Sequence, residues 1–157
     1  MAIDGALAPY LLGCHQLPIS AATFYEQSFA THILQKISAG FPSPAQDYEA
    51  SELDLNKYLV QRTNCTFFFT AAGDSMKNAG IFDGDKIVVD RSIEARPGMI
   101  VVAIVNSDFT LKWLRYINGA YELHPDNPDY EPIRFADGEE LRVFGVMVGI
   151  ARRFKWA

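Results

Sequence analysis

The apolar positions change period along the chain, and each change marks a different element. From Ser20, residues Phe24, Phe29, Ile33 and Ile37 recur mostly at four-residue spacing, which predicts a short amphipathic helix with Ser20 as N-cap. Gly40 to Glu49 holds Pro42, Pro44 and small polar residues, a linker composition biased toward extended backbone before each proline. Glu52 to Val60 reads as a short helix with Leu55 and Leu59 four apart. Beyond Thr66 the pattern turns to strands. Thr66 to Thr70 is aromatic, Lys86 to Asp90 follows the Asp83-Gly84 turn, and Met99–Val105 and Phe109–Tyr116 flank a hairpin loop at Asn106-Ser107-Asp108. Tyr121–His124 and Leu141–Ala151 complete the series. Short strands separated by Gly and Pro predict a mostly-β domain behind an N-terminal arm.

Composition narrows the picture. The chain has 157 residues, 49% hydrophobic and 21% charged, enough to bury a core. A formal net charge of -5 argues against non-specific nucleic-acid binding as its main activity. No run approaches a transmembrane length, and the first residues lack the basic character of a secretory signal. The two cysteines, Cys14 and Cys65, are far apart and lack metal-ligand spacing, which reads as a reducing cytoplasm.

The candidate chemistry lies in Gly73-Asp74-Ser75-Met76 and in Lys112. A serine at a strand-to-turn junction can present its hydroxyl and aim nearby backbone N–H groups at a developing oxyanion. Lys112 stands in the apolar run Phe109 to Leu114, where lost solvent disfavours the ammonium form and makes a base of the amine. The plain alternatives are a turn serine and a solvated lysine on an outer strand face. Lys86, at a strand start after a turn, reads as solvated. His124 and Asp126 could join Ser75 in a triad, although the Pro125 turn makes His124 a strand-end residue. Asp83, Asp85 and Asp90 do not make a calcium loop, because Ile87 and Val88 occupy positions that need an oxygen ligand and a glycine. No metal or other cofactor is expected.

The combination resembles the UmuD-like, LexA-related family of self-cleaving serine peptidases. The resemblance runs through Gly40-Phe41-Pro42-Ser43-Pro44-Ala45, Asp47-Tyr48, Asp54-Leu55-Asn56 and Gly73-Asp74-Ser75-Met76. It continues in Asp83-Gly84-Asp85, Val89-Asp90, Phe109-Thr110, Lys112, Asn127, Tyr130, Pro132-Ile133 and Val143-Phe144-Gly145-Val146. It implies a strongly curved, mostly antiparallel β fold over residues 40–157 and a removable arm over residues 1–39. By position it makes Ser75 the nucleophile, Lys112 the general base and Ala39-Gly40 the scissile bond. The backbone amides of Asp74 and Ser75 become the oxyanion donors. Ala39 before the bond matches the repressor branch of the family.

The same resemblance implies a homodimer whose self-cleavage is stimulated by a RecA filament on single-stranded DNA. The shortened form would join a UmuC-like Y-family polymerase in copying past DNA lesions. No membrane contact and no direct specific DNA binding are expected. Two other readings stand beside it. A LexA- or phage-type repressor would need a DNA-binding domain ahead of the cleavage site, for which residues 1–39 hold few basic side chains. The third is an interaction module with a silent dyad.

Overall fold

Runs of β-branched and aromatic residues joined by tight turns favour antiparallel pairing, and that is what this chain builds. The computed structural model describes residues 30–33, 50–136 and 139–154. They fall into two units, one holding the described residues up to Gln61 and the other those from Arg62 onward.

In the first unit, β1 (Ala30–Ile33) pairs antiparallel with β2 (Ala50–Leu53), with Ala30 opposite Leu53 and Ile33 opposite Ala50. Ala39 and Gly40 lie between these two strands in sequence and outside the described residues. Residues 30–33 correct the helix expected from Ser20 to Ile37. Their partner strand is distant in sequence, and a local period cannot register such pairing. The rest of that expected helix and the Gly40–Glu49 linker also lie outside the described residues. The second expected helix is shorter than Glu52 to Val60. Helix α1 spans Leu55–Leu59, and Glu52 and Leu53 belong to β2. Asp54 sets the start by accepting from the N–H groups of Asn56 (2.9 Å) and Lys57 (3.2 Å).

The second unit is a seven-stranded sheet in the order β3-β4-β9-β5-β6-β7-β8. Its strands are β3 (Thr66–Thr70), β4 (Lys86–Asp90), β5 (Ile100–Val105), β6 (Asp108–Ile117), β7 (Ala120–His124), β8 (Ile133–Arg134) and β9 (Arg142–Ala151). All adjacent pairs are antiparallel. Two-residue turns with positive φ, Asn106-Ser107 and Asn118-Gly119, close the β5–β6 and β6–β7 hairpins. Strand β9 is irregular on both sides, with register shifts at Val88/Val89 on β4 and at Val102/Ala103 on β5. Such bulges bend a sheet. The bend is large: the rings of Phe69 on β3 and Phe109 on β6 lie 5.2 Å apart although three strands separate them in the sheet. The expected curved antiparallel β structure is present.

Two apolar clusters fill the curl. One comprises Met76, Ile81, Ile87, Val89 and Val102, the other Val101, Ala103, Leu114, Leu123 and Val146. Asp85, 2% exposed, is held by the guanidinium of Arg152 (Nε to Oδ1 and Nη2 to Oδ2, both 2.5 Å) and by the Phe82 N–H at 2.8 Å. These charge-assisted bonds hold its carboxyl below the usual carboxylate range. Cys65 is buried ahead of β3 and is not a free thiol, so cysteine usage does not itself argue for a reducing compartment. Among the described residues no helix is long and apolar enough to cross a membrane.

Candidate active site

The chain leaves β3 at Thr70 and enters a loop tied to the start of β4. Ala71 N–H donates to the Asp85 carbonyl at 2.8 Å, and Gly84 N–H donates to the Ala71 carbonyl at 2.9 Å. Gly73 adopts φ +79°, a left-handed conformation that favours glycine, and its N–H donates to Asp83 Oδ1 at 2.9 Å. This reversal carries Asp74 and Ser75 to the surface while Met76, 3% exposed, plugs into the first cluster. A 3₁₀ turn, Lys77–Ala79, follows.

Lys112 reaches this turn from β6. Its Nζ is 2.8 Å from Ser75 Oγ and donates to the Leu111 carbonyl at 3.0 Å. The residue is 8% exposed, and burial alone pushes its amine below the ordinary lysine value of 10.5. The two candidate residues, 37 apart in sequence, are therefore in contact, and the lysine environment favours a neutral amine.

The peptide groups of the turn are held from one side. The Asp74 carbonyl accepts from Asn127 Nδ2 and from Lys77 N–H, both at 3.1 Å, and the Ser75 carbonyl accepts from Asp126 N–H at 2.9 Å. The N–H groups of Asp74 and Ser75 donate to no acceptor among the described residues. Asp126 is itself anchored by Trp113 Nε1 at 3.0 Å, and Asn78 N–H donates to its carbonyl at 3.0 Å. Tyr130 Oη donates to Asp74 Oδ1 at 2.5 Å, and this anionic partner raises the phenol's pKa.

Beside the pair lies a cleft of about 220 Å³, walled by Phe69, Met76, Ile87, Val102, Phe109 and Leu111 among others. One of its edges is a stretch of β6 that no described strand pairs with on that side, where the Leu111 carbonyl accepts from Lys112 Nζ. Strand β6 pairs with β5 along Asp108–Trp113 but with β7 only along Trp113–Ile117. Leu114 directs both its N–H and its carbonyl toward the β5 side, to Met99 and Gly98. By strand alternation, Phe109 and Leu111 direct theirs to the opposite side, where β7 does not reach.

The other sequence candidates fall elsewhere. His124 Nε2 lies 2.7 Å from Glu122 Oε2, and Asp126 serves Trp113, so the triad alternative is not assembled. Asp85 is taken by Arg152, and Asp90 by Ser92 N–H at 2.7 Å. Lys86 is exposed at the start of β4, with Nζ 2.7 Å from Thr70 Oγ1. Asn127 and Tyr130 carried the family resemblance but were given no part in the site, and Asp126 was weighed only as a triad member. The signal was the turn Pro125-Asp126-Asn127-Pro128, whose side chains suit the bonding of a neighbouring loop.

A curled antiparallel sheet that sets a serine beside a buried lysine at an apolar cleft defines a protein of the serine-peptidase class. Residues 32–148 match the family model described as Peptidase S24-like. Protein MucA of Salmonella typhimurium is 45% identical over 116 residues, covering 73% of this chain and 78% of that protein. Protein SamA of Salmonella typhimurium strain LT2 is 42% identical over 127 residues, covering 81% and 88%. The LexA repressor of Bordetella pertussis is 37% identical over 120 residues, covering 76% of this chain and 55% of the repressor. The chain belongs to the UmuD-like, S24-type family of self-cleaving serine peptidases.

Proposed function

We propose that this protein cleaves itself at Ala39-Gly40 through Ser75 and Lys112, and that the product Gly40–Ala157 acts in SOS mutagenesis. The observation that carries the reading is the 2.8 Å contact between Ser75 Oγ and the buried Nζ of Lys112. Neutral Lys112 accepts the hydroxyl proton as Oγ attacks the Ala39 carbonyl carbon. The N–H groups of Asp74 and Ser75 stabilise the resulting oxyanion. The Ala39–Gly40 C–N bond then breaks, the lysine ammonium protonates the Gly40 amine, and an ester links Ala39 to Ser75 Oγ. Water, losing a proton to Lys112, attacks this ester, and the proton returns to Oγ. The arm leaves with a free carboxylate. No metal or cofactor enters these steps.

The substrate is tethered, so its effective concentration is high and recognition can be weak. The β1–β2 pairing supports a looped presentation of the scissile bond. The outward backbone groups of Phe109 and the Leu111 N–H suit pairing with an extended segment, and the sequence around Pro42 and Pro44 favours extended backbone. In this reading residues 1–39 are a regulatory arm and residues 40–157 the peptidase and dimerisation domain. A RecA filament on single-stranded DNA raises the fraction of docked arm. The homodimeric product joins a UmuC-like Y-family polymerase in the cytoplasm.

The test is the intact mass of the full chain after incubation at alkaline pH, and with RecA, an ATP analogue and single-stranded DNA. A product beginning at Gly40, absent from Ser75→Ala and Lys112→Ala, is expected. Cleavage of Lys112→Ala at the wild-type rate would sink the dyad.

A further inference from the structure

The nucleophile turn is held by a clamp from outside its own loop. Asn127 is 3% exposed, and its Nδ2 donates to the Asp74 carbonyl at 3.1 Å while its Oδ1 accepts from Asp129 N–H at 3.1 Å. A trans peptide is planar, with its C=O and N–H directed oppositely. Fixing the Asp74 carbonyl toward Asn127 therefore fixes the Ser75 N–H, in the same peptide unit, away from Asn127. That N–H has no acceptor among the described residues. Asp126 N–H, bonded to the Ser75 carbonyl at 2.9 Å, orients the next peptide in the same way. Tyr130 belongs to the same segment, its N–H donating to the Asn127 carbonyl at 3.2 Å, and its hydroxyl holds the Asp74 carboxylate at 2.5 Å.

We propose that Asn127, assisted by Tyr130, is a positioning residue that aims the Ser75 N–H at the carbonyl oxygen of the scissile bond. Neither side chain hydrogen-bonds to Lys112 Nζ, whose partners are Ser75 Oγ and the Leu111 carbonyl. The clamp thus acts on oxyanion stabilisation and leaves the base untouched. The inference rests on the proposed roles of Ser75 and Lys112.

The experiment follows self-cleavage of the full chain from pH 7 to 11 by intact mass, for wild type, Asn127→Ala and Tyr130→Phe, with urea unfolding of each in a Ser75→Ala background. Loss of an oxyanion donor costs about 10²–10³ in rate, so misaiming it should lower the plateau rate of Asn127→Ala by about 10- to 100-fold. The pH midpoint should stay at the wild-type value. Tyr130→Phe, an exposed change compatible with folding, should lower the plateau about 3- to 10-fold, also without moving the midpoint, and decides the matter if Asn127→Ala does not fold. A plateau within twofold of wild type in the folded variants overturns the inference. So does a midpoint that rises toward the ordinary lysine value, because the clamp would then be keeping Lys112 dry. A wild type that cleaves at no pH overturns the dyad as well, which separates the two failures.

Discussion

Gly145 sits on β9 between its two irregular pairings, and a methyl group there has nowhere to go. An ideal Cβ at this position would lie 2.7 Å from Val89 Cγ1, 3.1 Å from the Asp90 carbonyl oxygen and 3.3 Å from Arg91 Cγ. Val89 is fully buried in the cluster that also holds Met76, so it can retreat only by displacing neighbours. Gly145→Ala should therefore destabilise by about 1–3 kcal/mol. For a chain of this length that lowers Tm by about 3–10 °C. Val89→Ala alone removes buried methyls and should cost about 2 kcal/mol. In the double variant the new methyl enters space vacated by Val89, so the combined loss should fall short of the sum by about 1 kcal/mol or more. Part of the strain stays, because the Asp90 carbonyl is backbone. Urea unfolding followed by circular dichroism, in a Ser75→Ala background expected to keep the chain whole, measures all four corners at constant m. Additivity within about 0.5 kcal/mol, or a Gly145→Ala variant as stable as its parent, would refute the steric argument.

Other outcomes follow from the site and its supports. Cleavage should accelerate as pH rises through the lowered pKa of Lys112 and level off before the ordinary value of 10.5, which a pH series of intact masses checks. The same depression has a stability consequence. Between the folded and unfolded pKa values of Lys112 the unfolded chain binds the extra proton, so stability rises with pH there; Lys112→Met should flatten that rise in alkaline urea titrations. Asp85 has the opposite linkage. Its stabilisation is present above the unfolded value near 3.8 and is lost as pH falls through the lower folded value, so Arg152→Ala should move acid unfolding to higher pH by circular dichroism. Gly73→Ala meets no atom within 4 Å, so its cost should be backbone strain alone, about 1–2 kcal/mol in urea unfolding.

The legible parts of this fold were those whose signals are local. Strands β3 and β4 lie where their aromatic and β-branched runs put them, and the Asn106-Ser107 turn closes the expected hairpin. Lys112 was legible because a lysine within an apolar strand run has few environments open to it. Strand β8 is two residues long, too short for any period to register. Residues 30–33 were misread because their pairing partner is distant in sequence. The clamp was illegible for the same reason. Asn127 and Tyr130 stand 53 and 56 positions from Asp74, and the Pro125–Pro128 turn signals a loop that bonds a neighbour without saying which neighbour.

The strand order carries a consequence for the timing of synthesis. The serine follows β3 and is bound to β4, the lysine lies on β6 beside β5, and the two halves are joined in the sheet by β9, the last strand made. A chain still on the ribosome without Arg142–Ala151 has Ser75 and Lys112 on two hairpins with no strand between them. Strand β9 must therefore be made before the cutting chemistry proposed here can be assembled. On the proposed reading, the segment ahead of Gly40 is protected from that chemistry until β9 is in place, and products truncated before β9 should not cleave themselves.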